Sequence, residues 1–348
     1  MSRADIDSPP ADTMRERADA GRLKMWFLLT GNRLAVAAVI LLVGWAILVA
    51  LAVVGPSSMR KLVTTQLAGG LFSSVLIAVV TTVTLVLTVS QLILSEEIRP
   101  LGEERAEMDE ELSFKGYVEE VIAAPVSPPG PASFAQELVE AVRANVRELE
   151  AAVEESPSDE GVAEIRRFAE TVEAHSDAVA ERLEDREFGG FQVLEPVLDY
   201  NYAWKLFAAR DLRNTYADAH GDDVEAAFAG VVGALGLFGP AREFFKSLYF
   251  QWEIIDVSRT VLYSSIPPLA IVSYMNLAFD PSAVPGWWFG LSGAFLFTSL
   301  AFGVALSPFA VLLAYLLRVL TVVRRTLAVG PFILRDTEQA VRADREER

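Results

Sequence analysis

Four uncharged apolar stretches leave this chain few ways to fold. Leu34 to Val54 is 21 residues without a charge, Ala68 to Leu94 is 27, Thr260 to Phe279 is 20, and Trp287 to Val323 is 37, interrupted only by Arg318. A helix needs about 20 apolar residues to cross a hydrocarbon core of roughly 30 Å. In lipid only a helix or a closed barrel satisfies its own backbone. Four transmembrane helices are therefore expected. The first stretch is too long for the apolar region of a signal peptide and reads as an uncleaved signal anchor.

The rest of the composition is arranged around these stretches. The 348 residues include 47 acidic and 30 basic ones, two histidines and no cysteine. Residues 95–258 hold 36 of the acids and 14 of the bases. An acidic soluble part argues against nucleic acid, whose phosphates need clustered Lys and Arg. The absence of Cys excludes thiol catalysis, Fe–S clusters and Cys-based zinc sites. Arg outnumbers Lys by 25 to 5. With the many carboxylates, that balance fits a cytoplasm of high salt.

Lys and Arg flanks set direction, because they favour the cytoplasmic side. Arg15, Arg17, Arg22, Lys24 and Arg33 precede the first stretch, and Arg99 and Arg105 follow the second. Arg242, Lys246 and Arg259 precede the third, and Arg318, Arg324 and Arg325 end the fourth. Only Arg60 and Lys61 disagree. The organisation expected is an all-α polytopic protein of the cell membrane with both termini cytoplasmic. A cytoplasmic segment with an interfacial helix spans 1–33, and transmembrane helices 1 and 2 span 34–94. An acidic cytoplasmic helical domain is inserted over 95–258. Transmembrane helices 3 and 4 span 259–323, and a cytoplasmic tail spans 324–348.

Local signals refine this plan. Thr13-x-x-Glu16 opens an interfacial helix ending near Leu29, with Trp26 at headgroup level. The second span is expected to continue as helix to about Ala124. Pro125 to Pro131 is a rigid turn, and Ser133 with Gln136 has the spacing of a capping box. Two amphipathic helices follow, separated at Ser156-Pro-Ser158, and should form a helical hairpin. After a break at Phe188-Gly-Gly-Phe191, helices are expected at about 193–219, 222–237 and 240–266. Pro267-Pro268 should break the third span, and Pro308 should kink the fourth.

The runs TVTLVLTVSQLILSEEIRPLGEE, PVSPPGPASF, LDYNYAWKLFAARDLR and LFGPAREFFKSLYFQWEIIDVSR resemble a family of uncharacterised membrane proteins from haloarchaea, over about residues 80–275. The resemblance agrees with a high-salt cytoplasm and implies no activity, ligand or site residue. The four-span plan with its helical insertion also resembles the bestrophin anion channels in outline, without their neck motif.

Few residues suggest chemistry. Asp218-Ala-His220-Gly-Asp222-Asp223 could hold a hard cation, but it also reads as a helix end followed by a helix start. His175 reads as a surface residue. Gly233-x-x-Gly236-x-x-Gly239 lacks the Lys and the strand of a phosphate loop and reads as close helix packing. Tyr200, Tyr202, Trp204 and Phe207, and then Phe244 to Trp252, read as core and interface aromatics. No span holds Asp, Glu or His, so a proton relay is not expected. Neither an enzyme nor a bound cofactor or metal is expected.

The second span carries the sharpest pattern. Ser74, Thr81, Thr84, Thr88, Gln91 and Ser95 are spaced 7, 3, 4, 3 and 4 apart and share one helix face, with Ile77 the one apolar interruption. Such a face avoids lipid. It either packs on another helix or lines a watery path in an oligomer. Four helices are too few to enclose a pore, so conduction needs a homo-oligomer. Glu96, Glu97 and Arg99 are candidate mouth charges. In the fourth span, Phe295, Phe302 and Phe309 form a candidate constriction, while Ser299, Gly303 and Ser307 form a small-residue track. The partners expected are membrane lipid, further copies of the chain and, in a non-conducting sensor or scaffold, a cytoplasmic protein.

The absence of native Cys makes topology directly testable. Ser57→Cys and Ser282→Cys should label from outside intact cells with an impermeant maleimide, and Ser158→Cys should not. Labelling at position 158 would invert the orientation.

Overall fold

The computed structural model describes residues 21–54, 67–97, 100–122, 124–184, 191–288 and 290–326. Eleven helices occur among these: α1 (Arg22–Met25), α2 (Arg33–Val54), α3 (Leu67–Glu97), α4 (Leu101–Val121), α5 (Pro131–Glu155), α6 (Val162–Leu183), α7 (Phe191–Asp199), α8 (Tyr202–His220), α9 (Asp222–Leu277), α10 (Gly293–Ala305) and α11 (Ser307–Thr326). A π-helix, Trp26–Thr30, follows α1. The described strands, β1 (Trp287–Trp288) and β2 (Leu291–Ser292), form one antiparallel ribbon. The architecture is all-α apart from this ribbon. Two compact units divide the chain. Pro100–Phe250 lies in one, and the other comprises Arg22–Arg99 and Gln251–Val322.

The helical unit is organised by α5 and α6. Leu138, Val142, Val146, Leu149 and Val153 of α5, and Ile165, Val172, Val179 and Leu183 of α6, are all buried. The period that marks these helices in the sequence thus also marks the face they hide. The hairpin turns at Gly161, whose φ is +70°. His220, the last residue of α8, fastens this turn: Nδ1 lies 2.8 Å from Ser156 Oγ and Nε2 2.6 Å from Glu160 O. Tyr200 is 1% exposed, its hydroxyl 3.0 Å from Ser176 Oγ. Lys205 is fully buried, its Nζ 3.0 Å from His175 Nδ1 and 4.5 Å from the Tyr200 ring centroid. His175 is therefore half-buried against a lysine rather than a free surface residue.

Several expected boundaries move. Pro100 is extended and begins α4 as a separate helix, because proline lacks the donor that would continue α3. Helix α5 starts at Pro131 with Gly130 as its N-cap, and Gln136 Nε2 donates to Glu140 instead of closing a capping box at Ser133. The single helix expected at 193–219 is divided at Tyr200-Asn201, where Asn201 Oδ1 accepts from Trp204 N. In the other direction, 222–237 and 240–266 fuse into α9, which runs through Pro240 and through Pro267-Pro268. Of the three spaced glycines, Gly233 and Gly236 face open space and only Gly239 meets a neighbour, Tyr202. The capping box at Thr13 lies outside the described residues.

The apolar unit is assembled from α2, α3, the Gln251–Leu277 part of α9, α10 and α11. Val36, Val86, Val261, Val311, Ala314 and Tyr315 form one buried cluster, and Phe72, Val75, Val79, Val272, Met275 and Ala301 another. Most of the remaining apolar surface faces outward, including Leu42, Ile47, Leu51, Ile77, Leu85 and Leu92. Surfaces of that size are stable only against lipid or another protein. Three helices are long and apolar enough to cross a membrane, and α10 with α11 passes the same test as a pair bent by 45°. The bend falls at Leu306, just before Pro308, as the proline predicts. The fourth stretch does not begin as helix. Trp287–Trp288 pairs with Leu291–Ser292 as the ribbon, aided by Gly286 and Gly290 with φ of +110° and +77°.

Gly161 is the glycine whose replacement should be costly. A Cβ there would meet the Tyr216 ring at 2.6 Å and hold a left-handed φ. Gly161→Ala should destabilise the helical unit by about 1–3 kcal/mol. Gly236→Ala, in open space on α9, should be neutral or stabilising by up to about 1 kcal/mol. Thermal unfolding of the two variants checks both signs.

Candidate functional site

Helix α3 has two opposed rows. Phe72, Val75, Val79, Thr82 and Val86 are buried in the apolar unit. Their spacing of three and four residues makes them one stripe. At about 100° per residue, Ser74, Thr81, Thr84, Thr88, Gln91 and Ser95 fall roughly half a turn away. All six are exposed. Among the described residues nothing covers the polar row, and it is the inner row, not the polar one, that packs.

Four of the five hydroxyls of this row are turned back on their own helix. Ser74 Oγ donates to Gly70 O at 3.0 Å, Thr81 Oγ1 to Ile77 O at 2.8 Å, Thr88 Oγ1 to Thr84 O at 2.9 Å and Ser95 Oγ to Leu92 O at 2.7 Å. Each hydrogen is therefore spent, and the oxygen lone pairs are left outward as acceptors. Ile77, within the same row, is 68% exposed. Glu96 and Glu97 are the last two residues of α3. Their side chains, and Arg99 altogether, lie outside the described residues.

The three phenylalanines of the candidate constriction occupy different surroundings. Phe295 is 2% exposed and packs with Ala52 and Leu291. Phe302 meets the Phe72 ring edge-on at 6.4 Å. Phe309, beyond the 45° bend, is 56% exposed. The bend sets Phe309 apart from the other two, while Phe295 and Phe302 share α10 but meet α2 and α3 respectively. The small-residue track is likewise divided. Ser299 Oγ accepts from Trp45 Nε1 at 3.1 Å, Gly303 meets no neighbour, and Ser307 Oγ donates to Ser264 O at 3.5 Å.

A second polar group escapes sequence reading, which ended the apolar unit at residue 259. Because α9 is continuous, Glu253 and Asp256 belong to that unit. Glu253 Oε1 lies 3.3 Å from Arg318 Nη1, with side-chain exposures of 7% and 13%. Arg318 Nη2 donates to Gly31 O at 2.9 Å, while its Nε has no hydrogen-bond partner. Arg33 donates to Gly31 O and Leu29 O and, at 3.3 Å, to Ala314 O. Tyr315 Oη donates to Asp256 at 3.0 Å. Arg318 within an apolar stretch was the available signal, since such a charge needs a named partner.

Elsewhere the ionisable groups serve the fold. Both imidazole nitrogens of His220 are occupied by Ser156 and Glu160, so the Asp218–Asp223 cluster lacks its nitrogen ligand. Among the described residues no group of three His, Cys, Asp or Glu is placed to hold a metal. Arg242 is buried 5.7 Å from the Tyr202 ring, and burial pushes its guanidinium below, and the Tyr202 phenol above, their ordinary values.

A family profile matches residues 1–347, almost the whole chain. The chain belongs to DUF7972, a family of unknown function. No curated protein and no solved structure matches it. For this member of DUF7972 the geometry of α3 and of the buried polar group therefore carries the functional argument.

The Glu253–Arg318 pair is testable by a double change. Removing one partner of a buried pair leaves an uncompensated charge and costs about 3–5 kcal/mol, whereas replacing both by apolar side chains is often neutral. Glu253→Leu alone should lower the thermal midpoint in detergent. Glu253→Leu with Arg318→Leu should recover most of the loss. If the double variant is as unstable as the sum of the singles, the pair is not coupled.

Proposed function

We propose that the chain is an oligomeric, channel-like protein of the cell membrane, in which the polar row of α3 borders an aqueous path between subunits. The exposed row opposite the buried row of α3 carries this reading. A lone protomer would press six polar side chains and their outward lone pairs against lipid. A ring of copies relieves that and offers a path lined by oxygen acceptors. In this reading α2, α3, the later part of α9 and the bent α10–α11 pair are the four spans. Residues 95–258 and both termini are cytoplasmic, and Glu96, Glu97 and Arg99 act as charges at the mouth. The acidic surface and the low Lys content favour a haloarchaeal, high-salt cytoplasm. Neutral hydroxyls discriminate weakly between ions, so selectivity falls to the mouth.

A different observation favours a second reading, a non-conducting sensor or scaffold. The helical unit carries an aromatic groove of about 360 Å³ lined by Phe114, Phe134, Phe244 and Phe245, with Glu110 and Glu111 among its walls. Such a groove suits a cytoplasmic protein partner. The back-bonded hydroxyls would then serve only helix packing.

Cysteine accessibility separates the two. Thr81→Cys, Thr84→Cys and Thr88→Cys should react with a small charged thiol reagent in reconstituted protein, and Val83→Cys and Leu87→Cys should not. Thr88→Leu should reduce ion flux several-fold while leaving assembly unchanged. Equal, poor reaction at all five positions with no flux would favour the scaffold.

A further inference from the structure

A groove between α3 and α9 has the features of a lipid headgroup site. It encloses about 340 Å³ and is lined by Leu87 and Ser90 of α3 and by Ile254, Ile255, Ser258, Arg259, Leu262 and Tyr263 of α9. Its walls are joined by a hydroxyl pair. Ser90 Oγ and Ser258 Oγ are 2.7 Å apart, and Ser258 Oγ donates to Ile254 O at 2.7 Å. Ser258 therefore accepts from Ser90, and both hydrogens are spent within the groove wall. This contact sets the spacing of the helices, so the groove exists without an occupant.

The cation of the groove is unusual for its setting. Arg259 immediately precedes the apolar stretch that begins at Thr260. It is exposed, and among the described residues its guanidinium has no hydrogen bond or ion pair. The nearest acid along the helix, Asp256, accepts from Tyr315. Trp252, Ile255, Arg259, Tyr263 and Ile266 are spaced 3, 4, 4 and 3 apart and so share one exposed face of α9. Two amphipathic aromatics thus bracket a single cation over four apolar groove residues. That sequence of groups suits a membrane interface, with the aromatic rings at headgroup depth and chain-binding surface beside them.

We propose that this groove seats one anionic phospholipid. Its phosphate is held by the Arg259 guanidinium, whose planar fork matches phosphate oxygens in two hydrogen bonds. The Tyr263 hydroxyl lies one turn further along the same face, where it can donate to the same headgroup. One acyl chain descends past Leu262 and Leu87, on the membrane side of Arg259, while Ile254 and Ile255 cover its glycerol end. A free phosphate could use the cation but would gain nothing from these four side chains. The proposal rests on the apolar unit lying in a membrane, and not on conduction.

Native mass spectrometry of the full-length protein in mild detergent tests it. The probes are dioleoyl phosphatidylglycerol and dioleoyl phosphatidylcholine at equal mole fractions, which share chains and differ in net charge. The expected result is preferential retention of one phosphatidylglycerol per protomer. Arg259→Gln should reduce that preference about fivefold, the effect of about 1 kcal/mol per cation near an anionic surface, and Arg259→Lys should keep most of it. Leu87→Trp should fill the groove and release both lipids. Glycerol phosphate should not displace the retained lipid. Equal retention of the two lipids by the wild-type protein would overturn the proposal, even if Arg259→Gln failed to fold. So would an unchanged preference in Arg259→Gln, or displacement by glycerol phosphate. Because flux and cysteine reactivity at the polar row of α3 are read separately, failure here leaves the channel reading standing, and the converse also holds.

Discussion

Inside an apolar unit a backbone polar group needs a partner within the protein, and α9 meets that constraint at Ser264 O. Pro267 and Pro268 remove two helical donors, which in water would be replaced by solvent. Here Ser307 of α11 reaches back to Ser264 O at 3.5 Å, the carbonyl that Pro268 cannot serve. Ser264 and Ser265 bond their hydroxyls to Val261 O and Leu262 O at 3.2 and 2.7 Å. The helix passes the prolines unbroken, and its Gln251–Leu277 part packs into the clusters around Val261 and Val272. Local side-chain bonding of this kind lets membrane helices carry proline.

The same constraint governs the charges. Arg318 would be costly anywhere in the α10–α11 pair unless satisfied on several sides. Glu253 neutralises it, and Gly31 O takes a further hydrogen bond. Arg33 gathers the free carbonyls where the π-helix ends. The first and last described helices of the apolar unit are thus joined to α9 through polar contacts, and apolar packing fills in around them. A pair of this kind adds little net stability compared with an apolar replacement, yet losing either member is severe.

Against this background the polar row of α3 stands out because nothing among the described residues answers it. Thr82 and Ser90 are turned inward, and each is bonded within the unit. Ser74, Thr81, Thr84, Thr88, Gln91 and Ser95 are not covered. In the proposed oligomer this row meets water or another copy.

Much of this was legible in the sequence. The four apolar stretches, the amphipathic pair α5 and α6, the bend at Pro308 and the shared face of the α3 row all follow from local composition and helical period, which need no knowledge of distant residues. Three-dimensional packing decided the rest. Pro267-Pro268 sits inside a continuous helix, and the carbonyl that Pro268 leaves open is met by Ser307, some forty residues away. The partner of Arg318 lies on α9, and nothing in the spacing of either helix announces the match. Phe295, Phe302 and Phe309 share a face only if their helix is straight, and the ribbon at Trp287 replaces a helix start that hydropathy alone would favour. Period and composition specify which face of a helix is apolar or polar. Which neighbour meets that face is a property of the assembled helices, because it depends on contacts between residues far apart in the chain.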